Sequence, residues 1–441
     1  MFFNMSQLSA IFPVFLVLIF ILPARIQAAG VVAESMPSHV GILYQNSLSA
    51  DVNDNEAVTR FAMQFYSRKD HYRARKMLKE KPVTITSFRC KRSAGGNHDF
   101  YSEGDYWWPD PANTEGPYIQ KDGQTNPDNF VEHRLAMIRL SEIVATLTSE
   151  WLLHGDQKYA DQAVKHLNAW FIDSVTRMNP HMLYAQAIWG RYTGRGIGLI
   201  DAYHLVEVAQ SAKVLIEKMA IPEKDAAKIK EWFKSFLNWM TTHSYGIDEM
   251  NAKNNHGTCW VVTASAMADL IGDEGRKQLC KERFKTILLP EQMAENGSFP
   301  LELKRTKPYG YSLFNIDAMC NLAQILSTSE DNLWEFKTPD GKSLKKGMEF
   351  IFPFIVDKSS WAYAKDIYIW DEWPVRQSSL LFAGLAYQNK TYIHTFMGLT
   401  THPDHPEVIR NLPVRHPVIW LLDEKSLSKW NIKQLKGKPA K

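Results

Sequence analysis

Residues 132–171 read EHRLAMIRLSEIVATLTSEWLLHGDQKYADQAVKHLNAWF, and their spacing predicts two helices folded back on each other. In the first, Leu135, Ile138, Ile143, Leu147 and Trp151 fall at helical intervals up to Leu153, and Gly155 can take the left-handed conformation that ends a helix. In the second, Ala160, Ala163, Val164, Leu167, Trp170 and Phe171 repeat the pattern after a turn too short for anything but an antiparallel return. Working outward, the same periodicity predicts helices over Ile197–Met219, Pro222–Met240, His256–Ile271, Arg276–Leu289, Ser312–Ser327 and Ser378–Ala386. Strand-like alternation is confined to short pieces such as Val83–Phe88 and Ile367–Ile369. Helix after helix joined by short turns implies an all-α fold of stacked hairpins. No fixed-period repeat recurs, so a regular solenoid is not expected, and a ring of hairpins, an incomplete (α/α) toroid, fits the chain better.

With 45% hydrophobic and 22% charged residues in 441, the chain is neither disordered nor a polytopic membrane protein. Its 51 basic and 48 acidic residues leave a net charge of +3 without a dense basic block, so no nucleic-acid partner is expected. Leu8–Leu22 is almost wholly apolar and is followed by Ala28, Ala29 and Gly30, the pattern of a secretory signal peptide. Residues 1–29 are therefore expected to be removed on export to the periplasm or medium, with no stable membrane insertion afterwards. Residues 30–441 are expected to form a single toroid domain, its core about 60–390, ending in a frayed Lys-rich last dozen. Cys90, Cys259, Cys280 and Cys320 show no paired spacing and read as buried helical thiols; His256 and Cys259 lack the second ligand pair that a zinc site needs.

Between the helices lie long segments rich in aromatic residues, Gly, Pro and Asn, at 93–130, 176–196, 290–311 and 355–377, and loops of this length usually carry function. The first contains Asn97, His98, Tyr106, Trp107 and Trp108, a mixture suited to a sugar cleft because rings stack on pyranose C–H faces while hydroxyls need polar partners. The alternative is a packed lid with its Trp pair buried. The second contains Tyr184, Gln186 and Trp189 and then Gly194-Arg195-Gly196-Ile197-Gly198, whose glycines suit close approach at a helix start and leave Arg191 or Arg195 for a carboxylate or an ion pair. Asn255 and His256 stand at a predicted helix N-terminus, where they can donate to an anion or serve as cap and neighbour. Finally, Arg305 precedes Tyr309 and Tyr311 across a Pro/Gly turn, and a nearby guanidinium favours a phenolate.

Taken together, Asn255-His256, the later Arg305 and Tyr311, the Tyr-Trp-Trp-Pro loop at 106–109 and the Gly-Arg-Gly-Ile-Gly segment resemble the alginate lyase superfamily, polysaccharide lyase families five and thirty-eight, over residues 95–325. The resemblance implies an (α/α) toroid, β-elimination on a polyuronate and a tyrosine in the base and acid roles. In some members a Tyr-His dipeptide holds the catalytic tyrosine, whereas Tyr311 is followed by Ser312, which leaves the choice between Tyr309 and Tyr311 open. The residue chemistry agrees. Abstracting H5 requires the C6 carboxylate to be neutralised, a role for Asn255, His256 and Arg305, while Tyr311, activated by Arg305, removes H5 and returns a proton to O4. No cofactor or metal enters this chemistry. In mannuronate and glucuronate H5 and O4 lie on one side, so one residue serves both steps; guluronate would need a second base on the opposite face, for which His256 is the candidate. A hydrolase on the same scaffold would need a carboxylate pair, with Glu132, Asp201, Glu302 and Asp371 as unpaired candidates. A non-catalytic glycan-binding protein would explain the aromatic loops but not the Arg–Tyr pair.

Overall fold

The computed structural model describes residues 55–422. The predicted signal peptide and frayed tail lie outside these residues. The helices are α1 (Asn55–Met63), α2 (Arg68–Met77), α3 (Glu132–His154), α4 (Gln157–Phe171), α5 (Leu205–Glu217), α6 (Glu223–Thr242), α7 (Ser244–Met250), α8 (Asn255–Ile271), α9 (Glu274–Arg283), α10 (Leu289–Gln292), α11 (Pro300–Leu303), α12 (Pro308–Leu326), α13 (Leu344–Val356), α14 (Ser378–Ala386), α15 (Lys390–Gly398), α16 (Pro406–Arg410) and α17 (Pro417–Leu421). Among the described residues no helix is long and apolar enough to cross a membrane.

The hairpin that the sequence places at 132–171 forms as expected: α3 packs along α4, and Gly155 caps α3 at φ 71°. An inner row of helices, α3, α5, α8, α12 and α14, runs in consecutive contact, and α4, α6, α9, α13 and α15 back it from outside. The result is an incomplete α/α toroid. The C-terminal α17 returns to pack on α1, α3 and α5. Inner helices are covered on both sides, so their sequences lose the single apolar stripe: every residue of α12 is buried, and buried positions surround α3. For that reason Leu135, predicted on the core face, is 48% exposed while polar Ser141 and Thr148 are enclosed.

Three predicted elements differ. Ile197–Met219 opens as a 3₁₀ stretch over Gly196–His204 before α5 begins, because Gly196 and Gly198 press against the backbone of Tyr245 and Ala185. Arg276–Leu289 breaks after α9 into a π turn at Phe284–Leu288, just before Pro290, which has no N–H to continue an α ladder. Neither predicted strand forms: Ile85–Ser87 is a 3₁₀ turn capped by Thr84, and Ile367–Ile369 is irregular. The strands that do form lie inside the aromatic loops. β1 (Tyr101–Glu103) pairs in parallel with β4 (Tyr184–Ala187), and β2 (Trp107–Trp108) pairs antiparallel with β3 (Ile119–Gln120). Cys259, Cys280 and Cys320 are buried on helices as expected, whereas Cys90 is half-buried in a loop; all four are free thiols.

The β1–β4 pair joins the first two loops, and it depends on a close approach at Gly194. A Cβ there would meet the Leu183 carbonyl oxygen and come within 2.7 Å of the Tyr184 Cα. Gly194→Ala should therefore cost about 1–3 kcal/mol, read as a lowered urea midpoint with unchanged m-value; an unchanged midpoint would show that the contact yields freely.

Candidate active site

The Asn254 side chain accepts from the His256 amide at 3.4 Å and so caps α8, which places Asn255 and His256 in its first turn. Two buried glutamates orient them. Glu302 accepts from the Asn255 backbone and side-chain nitrogens, both at 2.7 Å, and Glu249 lies 2.7 Å from His256 Nδ1. With Nδ1–H donating to Glu249, Nε2 is the ring nitrogen left for the cleft. Burial is the largest influence on His256 and lowers its pKa, but the charge and hydrogen bond of Glu249, with the charge of Glu302, together raise it above the ordinary value. Burial raises the Glu302 carboxyl above its usual range despite the two Asn255 donors.

Facing this pair, Pro308 occupies the first turn of α12, and Tyr311 follows one turn on with its hydroxyl 2.9 Å from that of Tyr106. The Arg305 guanidinium lies 4.6 Å from the Tyr311 ring centroid and is itself held by Asp122 at 3.1 Å. The Tyr106 oxygen accepts from Lys307 Nζ at 2.8 Å and from Arg410 Nη2 at 3.3 Å. Glu407 completes the cluster, 2.5 Å from Lys307 and 3.1 Å from Arg410. Burial pushes the Tyr311 phenol well above 10, and the neighbouring Tyr106 adds to this; Arg305 and Arg410 pull the other way without overcoming it. The expectation that Arg305 leaves a depressed phenol pKa is thus corrected: at rest Tyr311 is a neutral phenol, because enclosure in the protein outweighs one guanidinium.

The polar ends of these two groups open onto one cleft. Asn255, His256, Arg305 and Tyr311 line it, joined by Tyr106, Trp107, Gln186 and Arg195 from the aromatic and glycine-rich loops. Arg195 donates to the Gln186 carbonyl at 2.8 Å, and its guanidinium lies 5.8 Å from the Trp107 ring. Asn97, His98, Trp108, Tyr184, Trp189 and Tyr309 do not line it, whereas Asp201, a candidate for the hydrolase reading, does. Tyr309 is wholly buried and donates to the Phe354 carbonyl, so of the two tyrosines left open by sequence it is Tyr311 that faces the cleft. Trp108 donates to the Gln124 carbonyl, and His98 contacts the Arg177 carbonyl. Asn97 is exposed, Tyr184 packs against His181, and Trp189 is 44% exposed. Of the hydrolase candidates, Asp201 accepts from Ser102 and Arg134, Glu302 is taken by Asn255, Glu132 bonds the Val131 amide and Asp371 is exposed; no pair of them spans the cleft.

Sequence reading missed Asp105, Lys307, Glu407 and Arg410. Lys307 sits inside a segment singled out for its Arg and Tyr, but Glu407 and Arg410 lie about 100 residues further on in a short helix without periodic signal. Only the fold brings them to Tyr106.

Residues 84–361 match the sequence profile of the family described as Alginate lyase. Among solved structures, an alginate lyase from Bacteroides ovatus is 30% identical with a TM-score of 0.69, covering 85% of this chain and 97% of its own. Alginate lyase A1-III from Sphingomonas species A1 is similar in fold, at 13% identity and a TM-score of 0.50 over 79% of this chain and 93% of its own. No curated protein matches the chain in sequence.

Glu249 is the main reason for the raised His256 pKa, so Glu249→Gln should lower it, burial then acting against a weaker opposing charge. An NMR titration of His256 in both proteins reads this directly, and an equal pKa in the two would refute the assignment. The linked stability has a defined sign. A raised folded-state pKa stabilises fully below the unfolded value near ~6.5 and is lost as pH rises through the folded value, so the wild type's advantage over Glu249→Gln should shrink across that window.

Proposed function

The chain belongs to the alginate lyase family and is a polysaccharide lyase; from that premise we propose that it cleaves a polyuronate, polymannuronate or glucuronan, by syn β-elimination at the Tyr311 cleft. The observation that carries this reading is the placement of the Tyr311 hydroxyl, bonded to Tyr106 beside Arg305, across the same cleft as Asn255 and His256.

In the proposed reaction the uronate carboxylate is received by Asn255 and His256, with Arg305 contributing positive charge. Removing H5 moves charge onto that carboxylate, and donors fixed before the reaction stabilise it without reorganising. The Tyr311 phenolic proton passes to the Tyr106 oxygen as the Tyr106 proton passes to Glu407; Tyr311 then takes H5 and gives that proton to O4 as the C4–O4 bond breaks, leaving an unsaturated uronate. Lys307 and Arg410 both donate to the Tyr106 oxygen, which places positive charge beside the Tyr106–Tyr311 pair and supports a phenolate there, while the Tyr106 hydroxyl has Glu407 Oε1 as an acceptor at 3.5 Å. Glu249 favours the cationic form of His256, which suits it to donating more than to acting as a base; this favours substrates whose H5 and O4 lie on one side over guluronate. Aromatic and amide contacts from Trp107 and Gln186 suit a sugar ring in the neighbouring subsite. We also propose, from the apolar run Leu8–Leu22 and the Ala28-Ala29 that follows it, that residues 1–29 direct export and that 30–441 form the working domain, acting in the periplasm or outside the cell.

Tyr311→Phe should lower kcat by at least about 10²-fold, the usual scale for a general acid–base group. The assay follows the ultraviolet absorbance of the unsaturated uronate formed from polymannuronate, polyguluronate, glucuronan and hyaluronan. Retained activity in Tyr311→Phe would remove it as base, and a preference for polyguluronate would overturn the syn assignment.

A further inference from the structure

At the far end of α3 from the cleft, three side chains converge that the elimination does not use. Glu150 and His154 lie one turn apart on α3, and His71 reaches them from α2. His71 Nδ1 is 2.6 Å from Glu150 Oε1, His154 Nε2 is 3.8 Å from the same oxygen, and all three ligand atoms fall within 4.8 Å of one another. We propose that His71, Glu150 and His154 form a binding site for a zinc-class divalent metal ion that clips α2 to α3.

The donor set selects the ion. Two imidazoles and one carboxylate suit zinc and its neighbours, whereas magnesium and calcium prefer all-oxygen shells. The spacing also fits. Bonds of about 2.1 Å in a tetrahedron set ligand atoms about 3.4 Å apart, and the observed 2.6 and 3.8 Å straddle that value. Both imidazoles are about half exposed, at 47% and 45%, so they can turn by the fraction of an ångström required, and a fourth position stays open to water.

A second observation is the state of Glu150. Its side chain is 1% exposed, yet among the described residues no lysine or arginine pairs with it. Besides the imidazoles its neighbour is the enclosed Tyr66 hydroxyl, a neutral donor whose phenol the Glu150 charge helps to keep protonated. A buried carboxylate ordinarily has a fixed cation; here the available counter-charge is a pair of half-exposed imidazoles, and an ion held between them supplies what the site lacks. Glu150 lies 16 residues beyond Arg134 on the same helix, about 24 Å along the axis, so the ion takes no part in the cleft chemistry. Its effect is mechanical: α2 is a short, highly charged helix on the outside of α3, and a coordinate bond from each holds them together.

The test uses tag-free full-length protein treated with chelator, titrated calorimetrically with zinc chloride and separately with magnesium chloride. The proposal expects one zinc per chain, a raised Tm with zinc, no response to magnesium, and binding at least tenfold weaker in both His71→Ala and His154→Ala. His71→Ala also takes a partner from buried Glu150 and should itself lower the metal-free Tm, so the reading is the zinc-induced rise in Tm, which should be lost in both variants; His154→Gln provides a milder version if Ala perturbs the helix end. No saturable zinc binding, equal binding of magnesium, or zinc binding undiminished in the histidine variants would each overturn it.

Discussion

The cleft depends on one buried cation. Arg134, 5% exposed on α3, donates to both oxygens of Asp105 in the first aromatic loop and reaches Asp201 of the 3₁₀ stretch at 3.4 Å. Asp105 in turn pairs with Arg410. A single network thus ties an inner helix to the loop bearing Tyr106, to the segment leading into α5, and to α16, which supplies Glu407 and Arg410. Asp105 is buried, which by itself disfavours its charge, yet Arg134 and Arg410 hold its pKa far below the ordinary range. Enclosed charges of this kind add little net stability, but losing one partner leaves the others exposed to the low dielectric. Their consequence here is geometric: Tyr106 can meet Tyr311 because its neighbour Asp105 is pinned to the toroid.

The two halves of the cleft follow a common plan in which an acid lies behind each polar donor. Glu302 stands behind Asn255, Glu249 behind His256, Asp122 beside Arg305, and Glu407 behind Lys307 and Arg410. Each acid fixes the direction in which its partner's remaining N–H groups point. The Asn255 carboxamide has two hydrogens on Nδ2, and one is committed to Glu302, so the other is directed elsewhere with its orientation already set. Donors prepared in this way stabilise developing charge more effectively than mobile ones.

How much of this was legible in the sequence divides along sequence separation. Helices α4 and α6 carry a one-sided apolar spacing, the inner helices α3, α8, α12 and α14 show instead as largely apolar segments, and Asn255-His256, Arg305 and Tyr311 stand in short segments whose composition marks them. The strands were not legible, because β2 and β3 are only two residues long, too short to alternate, and arise from loops brought together by the toroid. Leu135 was misplaced because α3 is covered on nearly every side, so apolarity no longer points to one face. Lys307, Glu407 and Arg410 were invisible for a different reason: a lysine or glutamate gains meaning from what it touches, and their common partner Tyr106 is about 200 to 300 residues away. His71, Glu150 and His154 are the same case, an i, i+4 pair whose third member is 79 residues earlier.

A phenol with a high resting pKa looks ill suited to proton abstraction, yet in the proposed elimination it is consistent with one residue serving as both base and acid. The stronger the base a phenolate is, the more readily it removes H5, but the rarer its ionised form at neutral pH. Burial raises Tyr311 toward the strong, rare extreme, and it also ensures that the proton gained from C5 is held until O4 departs. The rarity is then offset locally. Lys307 and Arg410 donate to the Tyr106 oxygen and set positive charge beside the Tyr106–Tyr311 pair, and Arg305 lies over the ring where negative charge would form. In the proposed reaction substrate brings a carboxylate that would repel a phenolate, so Asn255 and His256 on α8 meet that carboxylate while Arg305, over the tyrosine ring, adds positive charge near both. The separation of Asn255 and His256 on α8 from Tyr311 on α12 suits this division, and it is the contact between those two inner helices that holds the two walls in register.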